Sequence, residues 1–203
     1  MKLIWHGQSC FTIESGDSTV VIDPYQDGMV SGHAPLALTA DAVFCSHEHP
    51  DHNAKGKVTL SGKESAIHVQ EIHTFHDSKK GRLRGQNIIR IFSTEGMSVA
   101  HLGDLGCELE PEQKKQLKGL DAVMVPVGGF FTINAKQAKI LMDELKPRVV
   151  IPMHYRASGH RFGIIGSVDK FLALCDNVVT HDGNIMELTR ETPAQTALLK
   201  DLI

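Results

Sequence analysis

Side chains that can hold a metal ion crowd into one short stretch of this chain. His47, His49, Asp51 and His52 fall within six residues, and Pro50 excludes a regular helix through the run. Imidazole and carboxylate donors together suit a borderline divalent cation such as zinc, whereas a lone histidine is usually an ordinary surface or core residue. The donor types and their density therefore predict a metal site on a loop.

The segments before these residues must position them. Residues 41–45 are mainly apolar and include a β-branched and an aromatic side chain, which predicts a short buried strand ending at the histidine loop. Three other metal-capable residues, His76, Asp104 and His154, also follow apolar strand patterns. Each of them alone is typical of a structural or surface position. If the strands are neighbours in a sheet, however, their ends meet at one edge, where α/β folds usually place their sites.

Strand patterns crowd the first half of the chain, and strands alternate with helices in the second half. Predicted strands cover residues 2–5, 10–14, 19–22, 41–45, 66–69, 71–75, 88–93, 98–102, 122–127 and 149–153, with a final pair at 177–181 and 185–189. Predicted helices cover residues 111–117, about 135–146 and 167–175, the last capped by Ser167, and the tail from residue 190 is weakly helical. We find no repeat or linker and expect one domain over residues 1–203, built from α and β layers.

The 203 residues have the composition of an ordinary soluble globular protein, with 41% hydrophobic and 22% charged residues. The formal net charge of -3 argues against a nucleic-acid partner, and no apolar stretch is long enough for a signal peptide or a membrane span. Four dispersed cysteines, Cys10, Cys45, Cys107 and Cys175, fit reduced thiols better than a disulfide framework or a zinc ribbon. We therefore expect a cytoplasmic protein that acts on a small molecule, without a membrane or nucleic-acid partner, and leave open whether it forms a homo-oligomer.

The segment from His47 to His52 reads HEHPDH and matches the HxHxDH signature of the metallo-β-lactamase superfamily, which the chain resembles over nearly its whole length. His76, Asp104 and His154 match the three later ligand positions of that superfamily in order. The chain is most similar to the branch of small metal-dependent hydrolases that includes the ascorbate-6-phosphate lactonases. Three segments carry this finer similarity: residues 103–106, 126–129 and 151–155.

The resemblance implies a four-layer αβ/βα sandwich with two metal ions at one edge. It assigns His47, His49 and His76 to the first metal, Asp51, His52 and His154 to the second, and Asp104 to both. Zinc is the expected metal, and manganese or iron would accept the same donors. Oxygen-reducing diiron members of the superfamily carry glutamate at the position of His49, so the imidazole there favours hydrolysis over redox chemistry.

These expectations together predict a hydrolase that uses a bridging hydroxide on a dinuclear site and acts on an ester or lactone, with or without a phosphate group. Asp51 and Asp104 are the candidate catalytic residues, which would orient the nucleophile and move its proton. Two alternatives stay open at this point. The chain could instead be a phosphodiesterase or ribonuclease-like hydrolase, or a metal-holding binding protein with little catalysis.

Several residues near the candidate ligands allow more than one interpretation. His73 is a rival to His76 as the third ligand, and Asp77 is placed to orient the ring of His76. Asp23 either hydrogen-bonds a metal-bound histidine or simply ends its strand. We expect His101 to be packed or to support the ligands rather than to join them.

Other candidates concern the substrate. Six basic residues that follow candidate ligands either hold an anionic group or form a solvated surface. They are Lys79, Lys80, Arg82, Arg84, Arg156 and Arg161. Gly128 and Gly129 either let the backbone approach the substrate or form a plain turn. His160 and His181 are weak candidates near the substrate, and Cys107 stands where members of this branch often carry histidine.

Overall fold

Segments rich in apolar and β-branched residues form the sheets of this protein, which the computed structural model describes over residues 1–156 and 164–200. The strands are Lys2–Gly7 (β1), Cys10–Ser15 (β2), Ser18–Ile22 (β3), Leu38–Ala40 (β4), Ala42–Phe44 (β5), Val58–Leu60 (β6), His68–Phe75 (β7), Gln86–Thr94 (β8), Met97–His101 (β9), Ala122–Pro126 (β10), Val149–Met153 (β11), Val178–Thr180 (β12), Ile185–Glu187 (β13) and Gln195–Leu198 (β14). The α-helices are Pro111–Leu117 (α1), Ala135–Leu145 (α2) and Asp169–Leu172 (α3), and a 3₁₀ turn covers Lys55–Lys57. None of the helices in these ranges is long and apolar enough to span a membrane.

The strands form two main sheets and a small third one. The first sheet has five strands in the order β13-β1-β2-β3-β5, and the second has seven in the order β12-β14-β11-β10-β9-β8-β7. β4 and β6 form a separate two-stranded sheet. In the second sheet, neighbouring strands pair in parallel along the run β9, β10, β11, β14 and β12. By contrast, β7, β8 and β9 pair antiparallel.

The two main sheets enclose a common apolar core. Phe11 and Ile13 of the first sheet and Phe92 and Val99 of the second are fully buried in one cluster. The rings of Phe44 and Phe92 meet edge to face between the sheets, with their centroids 5.6 Å apart. Removal of this apolar surface from water is the main force that holds the sheets together.

Helices and loops cover the outer faces of the sheets. Helix α2 buries Ala138, Leu141, Met142 and Leu145 in the main core, and the side chain of Asn134 caps the helix by accepting two of its first N–H groups. A second apolar cluster joins the first sheet to the segment between β3 and β4. The protein is therefore a mixed α/β sandwich, as the sequence predicts.

Some local predictions are wrong. Residues 66–69 and 71–75 do not form two strands, since the single strand β7 covers residues 68–75. The strand predicted at residues 41–45 is shorter and only partly buried, because β5 lies at the edge of its sheet. Strands do form near residues 177–181 and 185–189, but they do not pair with each other. β12 joins β14 in the second sheet, and β13 joins β1 in the first.

The third helix and the tail also differ from the prediction. Helix α3 covers only four residues, and its N-cap is Val168 rather than Ser167. The tail is not helical, because β14 lies between β11 and β12 in the second sheet and Ala197 is fully buried there. Parallel strand pairing therefore packs the tail against the rest of the chain.

Four strands end at one edge of the sandwich. β7, β9 and β11 point the same way in the second sheet, because two antiparallel steps separate β7 from β9 and β9 to β11 is parallel. β5 of the first sheet ends beside them, where the N–H of Ile88 donates to the carbonyl oxygen of Ser46 at 2.9 Å. The histidine loop and the segments after β7, β9 and β11 therefore meet, as the sequence predicts.

Candidate metal centre

Tight turns carry the candidate ligands away from their strands. After β5, the N–H groups of His52 and Asn53 both donate to the carbonyl oxygen of His49, at 2.9 and 3.1 Å. After β11, His154 adopts a positive φ of 49°, a backbone conformation that is uncommon for a residue other than glycine. Backbone strain of this kind persists mainly where the surrounding structure enforces it at functional sites.

Asp104 lies at the centre of the cluster. Its Oδ2 lies 3.3 Å from Nε2 of His76 and 3.2 Å from Nε2 of His154. Its Oδ1 lies 3.3 Å from Nε2 of His52, and Nε2 of His47 lies 3.9 Å from Oδ2. Because the Asp104 side chain is only 2% exposed, one buried carboxylate stands among four imidazole rings.

The seven residues singled out in the sequence come together in overlapping groups. Within each group, one donor atom per residue lies within 4.8 Å of the others. The groups are His47, His49 and His76; His47, His52 and Asp104; and Asp51, His52 and His154. The first and last groups match the two ligand sets that the resemblance implies, and Asp104 contacts members of both. Their role as metal ligands stays a prediction.

Buried atoms without partners show that this donor set fits a cation. Nε2 of His47, Nε2 of His52 and Oδ1 of Asp104 are buried, and none has a hydrogen-bond partner in the described part of the chain. A buried polar group left unsatisfied costs about 1–3 kcal/mol, so three in one place need a reason. Divalent cations such as zinc bind imidazole nitrogen and carboxylate oxygen atoms, which are the donor types present here.

The charges in the cluster are strongly coupled. Burial, together with the neighbouring His52, lowers the pKa of His47 to about 3, so its imidazole is neutral at physiological pH. Burial also acts to lower the pKa of His52 and His154, but the Asp104 carboxylate outweighs it and raises both pKa values. In return, these two histidines hold the pKa of Asp104 well below its usual range in spite of burial. The raised pKa values favour protonation of His52 and His154 in the absence of a metal, which offsets the charge of the buried carboxylate.

Asp23 fixes the orientation of two candidate ligands. Its carboxylate accepts hydrogen bonds from Nδ1 of His52 at 2.8 Å and from the backbone N–H and hydroxyl of Ser46, each at 2.6 Å. The Ser46 hydroxyl oxygen lies 2.9 Å from Nδ1 of His47. Because Ser46 donates to Asp23, it accepts from Nδ1 of His47, and His47 directs an unprotonated Nε2 at Asp104. Nε2 of His52 also faces Asp104, and it can bind a cation once His52 has lost its second proton. Asp23 therefore hydrogen-bonds a candidate ligand, as the first of its two interpretations requires, and metal binding by that histidine stays a prediction.

Asn87 holds the loop that carries Asp104, a role that no pattern in the sequence indicates. Its amide nitrogen donates to the Thr74 hydroxyl at 2.8 Å and to the Leu102 carbonyl oxygen at 3.0 Å, and its amide oxygen accepts the N–H of Asp104 at 2.9 Å. Gly103 has a φ of +55°, and a Cβ there would lie 2.3 Å from this amide oxygen. The turn into Asp104 therefore requires glycine.

Gln8 is a second residue that sequence reasoning missed. It lies in the β1–β2 turn with a positive φ of 52°, and its side-chain amide donates to Oδ2 of Asp51 at 3.3 Å. Its carbonyl oxygen accepts the N–H of His154 at 3.1 Å and Nε1 of Trp5 at 3.1 Å. Gln8 thus contacts two of the three residues in the Asp51 group. A glutamine in a glycine-containing turn carries no signal of such a contact.

The structure separates the remaining histidine candidates. His73 lies on the exposed side of β7, so His76 is the residue that joins the cluster. His101 is packed, as expected, and contacts the carbonyl oxygen of Ser9 at 2.8 Å through Nε2. Its Nδ1 accepts the N–H of Gly103 at 3.1 Å, which supports the loop that carries Asp104.

Asp77 does not orient the ring of His76, so that interpretation is wrong. Its carboxylate instead accepts four backbone N–H groups of the following loop, from Lys79, Gly81, Leu83 and Arg84, at 2.7 to 3.1 Å. These bonds outweigh the burial of Asp77 and lower the pKa of its carboxyl group. Asp77 therefore shapes the loop, and Nδ1 of His76 has no hydrogen-bond partner among the described residues.

The other candidates lie outside the cluster or beyond the described residues. His181 contacts the side chain of Gln195 at 3.3 Å rather than any of the seven residues. Cys107 is half-buried, and burial raises the pKa of its thiol. His160 and Arg161 lie outside the described residues.

Comparisons with known proteins agree on one family. Residues 2–154 match a family model described as a beta-lactamase superfamily domain. A UPF0173 metal-dependent hydrolase from Listeria monocytogenes is 26% identical, with 93% of this chain and 97% of that protein covered. Another from Thermoplasma acidophilum is 27% identical and covers 89% of this chain and 93% of its own length. A crystal structure from Thermotoga maritima, assigned to the Zn-dependent hydrolases of the metallo-β-lactamase superfamily, is 33% identical, covers 98% of this chain and 97% of its own, and has a TM-score of 0.74.

Proposed function

Because this chain belongs to the metallo-β-lactamase superfamily, we propose that it is a metal-dependent hydrolase whose seven clustered histidine and aspartate residues hold two divalent cations. One observation carries the proposal. Four imidazole rings converge on the buried carboxylate of Asp104, and atoms facing the centre have no hydrogen-bond partner within the described ranges. The names of the relatives, which describe metal-dependent hydrolases, support the same activity.

The donor set divides into two halves that share Asp104. His47, His49 and His76 would hold one cation, and Asp51, His52 and His154 would hold the other. When bound, two such cations would lower the pKa of a water molecule from far above the physiological range to about 7 and would polarise a carbonyl oxygen. Zinc suits this mixture of nitrogen and oxygen donors, and manganese or iron would also accept it.

The protein's own groups then orient the reaction. Asp51 is the accessible carboxylate of the cluster, with 28% of its side chain exposed, whereas Asp104 is buried. Burial acts to raise the pKa of Asp51, but His52 beside it lowers that pKa overall, so the carboxylate is ionised at neutral pH. An ionised Asp51 accepts a hydrogen bond from the attacking water and orients it, and it is the first acceptor for the proton released.

An ester or lactone is the substrate class we propose, following the similarity to the lactonase branch. A tetrahedral attack on a carbonyl carbon needs an oriented water and a polarised oxygen, and no side-chain nucleophile. Half-buried His49 and Asp51 lie on the accessible side of the cluster, which is where such a substrate would approach. Small-molecule substrates also agree with the net charge of -3.

A hydrolysis panel tests this function. Zinc-loaded protein would be assayed against simple lactones, carboxylic esters and bis(4-nitrophenyl) phosphate, together with Asp51→Asn and the matched control Asp143→Asn on helix α2. We expect an ester or lactone to be hydrolysed best. Loss of the orienting carboxylate should lower kcat by about 100-fold or more in Asp51→Asn, while Asp143→Asn stays active. Two bound ions without hydrolysis of any panel member would make the chain a binding protein, and preference for the phosphodiester would overturn the substrate class.

A further inference from the structure

An exposed cationic and apolar surface lies beside the metal-ligand cluster. It consists of the outward side chains of residues 79–84 together with Phe130 and Phe131, and is called here the cationic rim. Asp77 accepts four backbone N–H groups of residues 79–84, so the backbone of this segment is satisfied internally. The exposed side chains of Lys79, Lys80 and Arg82 are therefore available to a ligand.

The cations of the rim are not neutralised by the protein. Lys79, Lys80 and Arg82 are exposed, and none of them forms an ion pair with a carboxylate in the described part of the chain. Together with Leu83 they line a surface concavity of about 530 Å³. By contrast, Lys114 and Lys139 on the helices lie within 2.8 and 2.6 Å of carboxylates. An unpaired cluster of three cations attracts an anion.

Apolar groups stand next to these charges. Phe130 is 64% exposed and Leu83 is 69% exposed, although both are large hydrophobic residues. The guanidinium carbon of Arg84 lies 5.2 Å from the ring centroid of Phe131 and 6.0 Å from that of Phe130, a cation–π arrangement. Phe130 also has a positive φ of 62°, so its exposed ring is held at a cost in backbone strain.

Both halves of the rim are fastened to segments that carry candidate ligands. His76 directly precedes Asp77, and its N–H donates to the carbonyl oxygen of Gly85 at 3.1 Å, which closes the loop on the ligand. On the other side, the N–H of Ile133 donates at 2.8 Å to the carbonyl oxygen of Leu105, the residue after Asp104. A molecule seated on the rim is therefore held beside the metal-ligand cluster.

We propose that the cationic rim binds the substrate, and that this substrate is an anionic amphiphile, a small molecule with an apolar or aromatic group next to a phosphate, sulfonate or carboxylate. This assignment rests on the proposed hydrolase function, whose substrate class it narrows. The cations would hold the anionic group, and Leu83 and Phe130 would cover the apolar group. A small anion fits better than a polyanion, since the rim is short and the whole chain carries a net charge of -3.

Binding of simple probes tests the rim separately from catalysis. Calorimetry on the metal-loaded protein would compare 2-naphthalenesulfonate, whose sulfonate is a weak metal ligand, with neutral 2-naphthol. The variants are Lys79→Gln with Arg82→Gln, which removes charge, and Phe130→Ser, which removes the exposed ring. Matched controls are Lys115→Gln on α1, whose side chain is 80% exposed, and Ile140→Ser on α2, which is 68% exposed.

We expect the double charge variant to weaken the sulfonate about fivefold or more and to leave 2-naphthol unchanged. Phe130→Ser should weaken both probes, and the two control variants neither. Raising the salt concentration to about 0.5 M should weaken the sulfonate alone. An equal loss of sulfonate affinity in the double charge variant and in the control variants would overturn the proposal. So would binding of phosphatidylserine vesicles through these residues without binding of the sulfonate.

Hydrolysis rates connect the rim to the reaction. The ratio of kcat/KM for 4-acetoxybenzenesulfonate to that for phenyl acetate should fall in the double charge variant, while the control variant Lys115→Gln keeps the wild-type ratio. Hydrolysis with an unchanged ratio would overturn the rim and leave the hydrolase function intact. Selective binding of the sulfonate without hydrolysis of any ester or lactone would support the rim and contradict the hydrolase function.

Discussion

Charged side chains are arranged in opposite ways in two regions. One is the surface formed by helices α1 and α2, called here the helical face, and the other is the sheet edge around Asp104, called here the metal-ligand edge. On the helical face, Lys114 lies between Glu144 and Glu108, at 2.8 and 3.8 Å, and the exposed partners are solvated. At the edge, Asp104 is buried with four imidazole rings around it. Exposed pairs balance their own charges and contribute little to stability, whereas the buried group leaves polar atoms without hydrogen-bond partners among the described residues.

This contrast shows what distinguishes a site from a polar surface. Both regions have dense charges in sequence, so charge density alone does not mark the site. The metal-ligand edge differs because its polar atoms are buried, converge on one point and are held there by residues such as Asp23 and Asn87. Burial with convergence is expensive for the fold, and it is retained where a ligand completes the hydrogen bonding and coordination.

Replacing the central carboxylate should have the largest effect. We expect Asp104→Ala to lose both cations and to reduce hydrolysis by more than the roughly 100-fold expected when only an outer partner of a ligand is changed. Asp143→Ala on the helical face should keep its metal and its rate, because its exposed carboxylate pairs with half-buried Lys139 and not with the cluster. Metal analysis and steady-state kinetics of the two variants would check this. Retention of both ions by Asp104→Ala would place the cations elsewhere.

Removing the support of the ligands should have the next largest effect. We expect Asp23→Asn to weaken zinc binding by about 10- to 100-fold, because Asp23 fixes the ring orientation of His52. Asp121→Asn is the matched control. Asp121 also accepts a backbone N–H, from Ser98, and pairs with Arg148, but far from the cluster. Competition with a chromophoric chelator measures the affinity, and an equal loss in both variants would reduce Asp23 to a general role in stability.

Protonation should oppose metal binding at the edge. The pKa of His52 is raised by Asp104 and Asp23 in spite of its burial, so the metal-free protein holds a proton there that a cation must displace. Zinc affinity should therefore increase as the pH rises through this pKa, by up to about tenfold per unit for each proton. The folding stability of the metal-free protein should change in the opposite direction. The stabilisation that comes from the raised pKa of His52 is lost as the pH rises through that pKa.

Calorimetry in two buffers of different ionisation enthalpy counts the protons released on zinc binding, and thermal melts at several pH values compare metal-free with zinc-loaded protein. Zinc binding without proton release, at a pH-independent affinity, would mean that His52 is already neutral. The helical face offers no comparable link between protonation and ligand binding, since Lys114 and Lys139 stay charged at neutral pH and lie near their carboxylate partners.

Loss of the single hydrogen bond from Gln8 to Asp51 should have the smallest effect. We expect Gln8→Ala to weaken binding of the cation of the Asp51 group by about fivefold, which corresponds to about 1 kcal/mol for one long hydrogen bond at 3.3 Å, and to leave the cation of the His49 group unchanged. Stepwise titration with zinc resolves the two affinities. Equal weakening at both positions would show that Gln8 acts through general stability instead of through Asp51.

Local sequence signals predicted most of the site. The histidine loop and the ends of the strands before His76, Asp104 and His154 have recognisable residue types and apolar runs. The choice of His76 over His73 rests mainly on the family resemblance. The sequence predicts helix α2 equally directly, since Asn134 marks its start and the spaced apolar residues mark its buried face. In each case the information lies within a few neighbouring residues.

The errors arose where distant contacts decide the structure. Residues 195–198 have little strand character of their own, and they form β14 because β11 and β12 offer partners on both sides. The partners of β12 and β13 likewise depend on which sheet has a free edge. Asn87 and Gln8 resemble ordinary turn residues, and their contacts with Asp104 and Asp51 join positions 17 and 43 residues apart. No local pattern specifies such contacts.

The metal content of the protein tests the account most directly. Protein purified without chelator and analysed by inductively coupled plasma mass spectrometry should contain about two divalent ions per chain, as expected for a two-metal site. His49→Ala and Asp51→Ala should each keep one ion, because each variant disrupts only one of the two ligand groups. Wild-type protein that binds no divalent cation, even after addition of zinc or manganese, would contradict the assignment of the cluster.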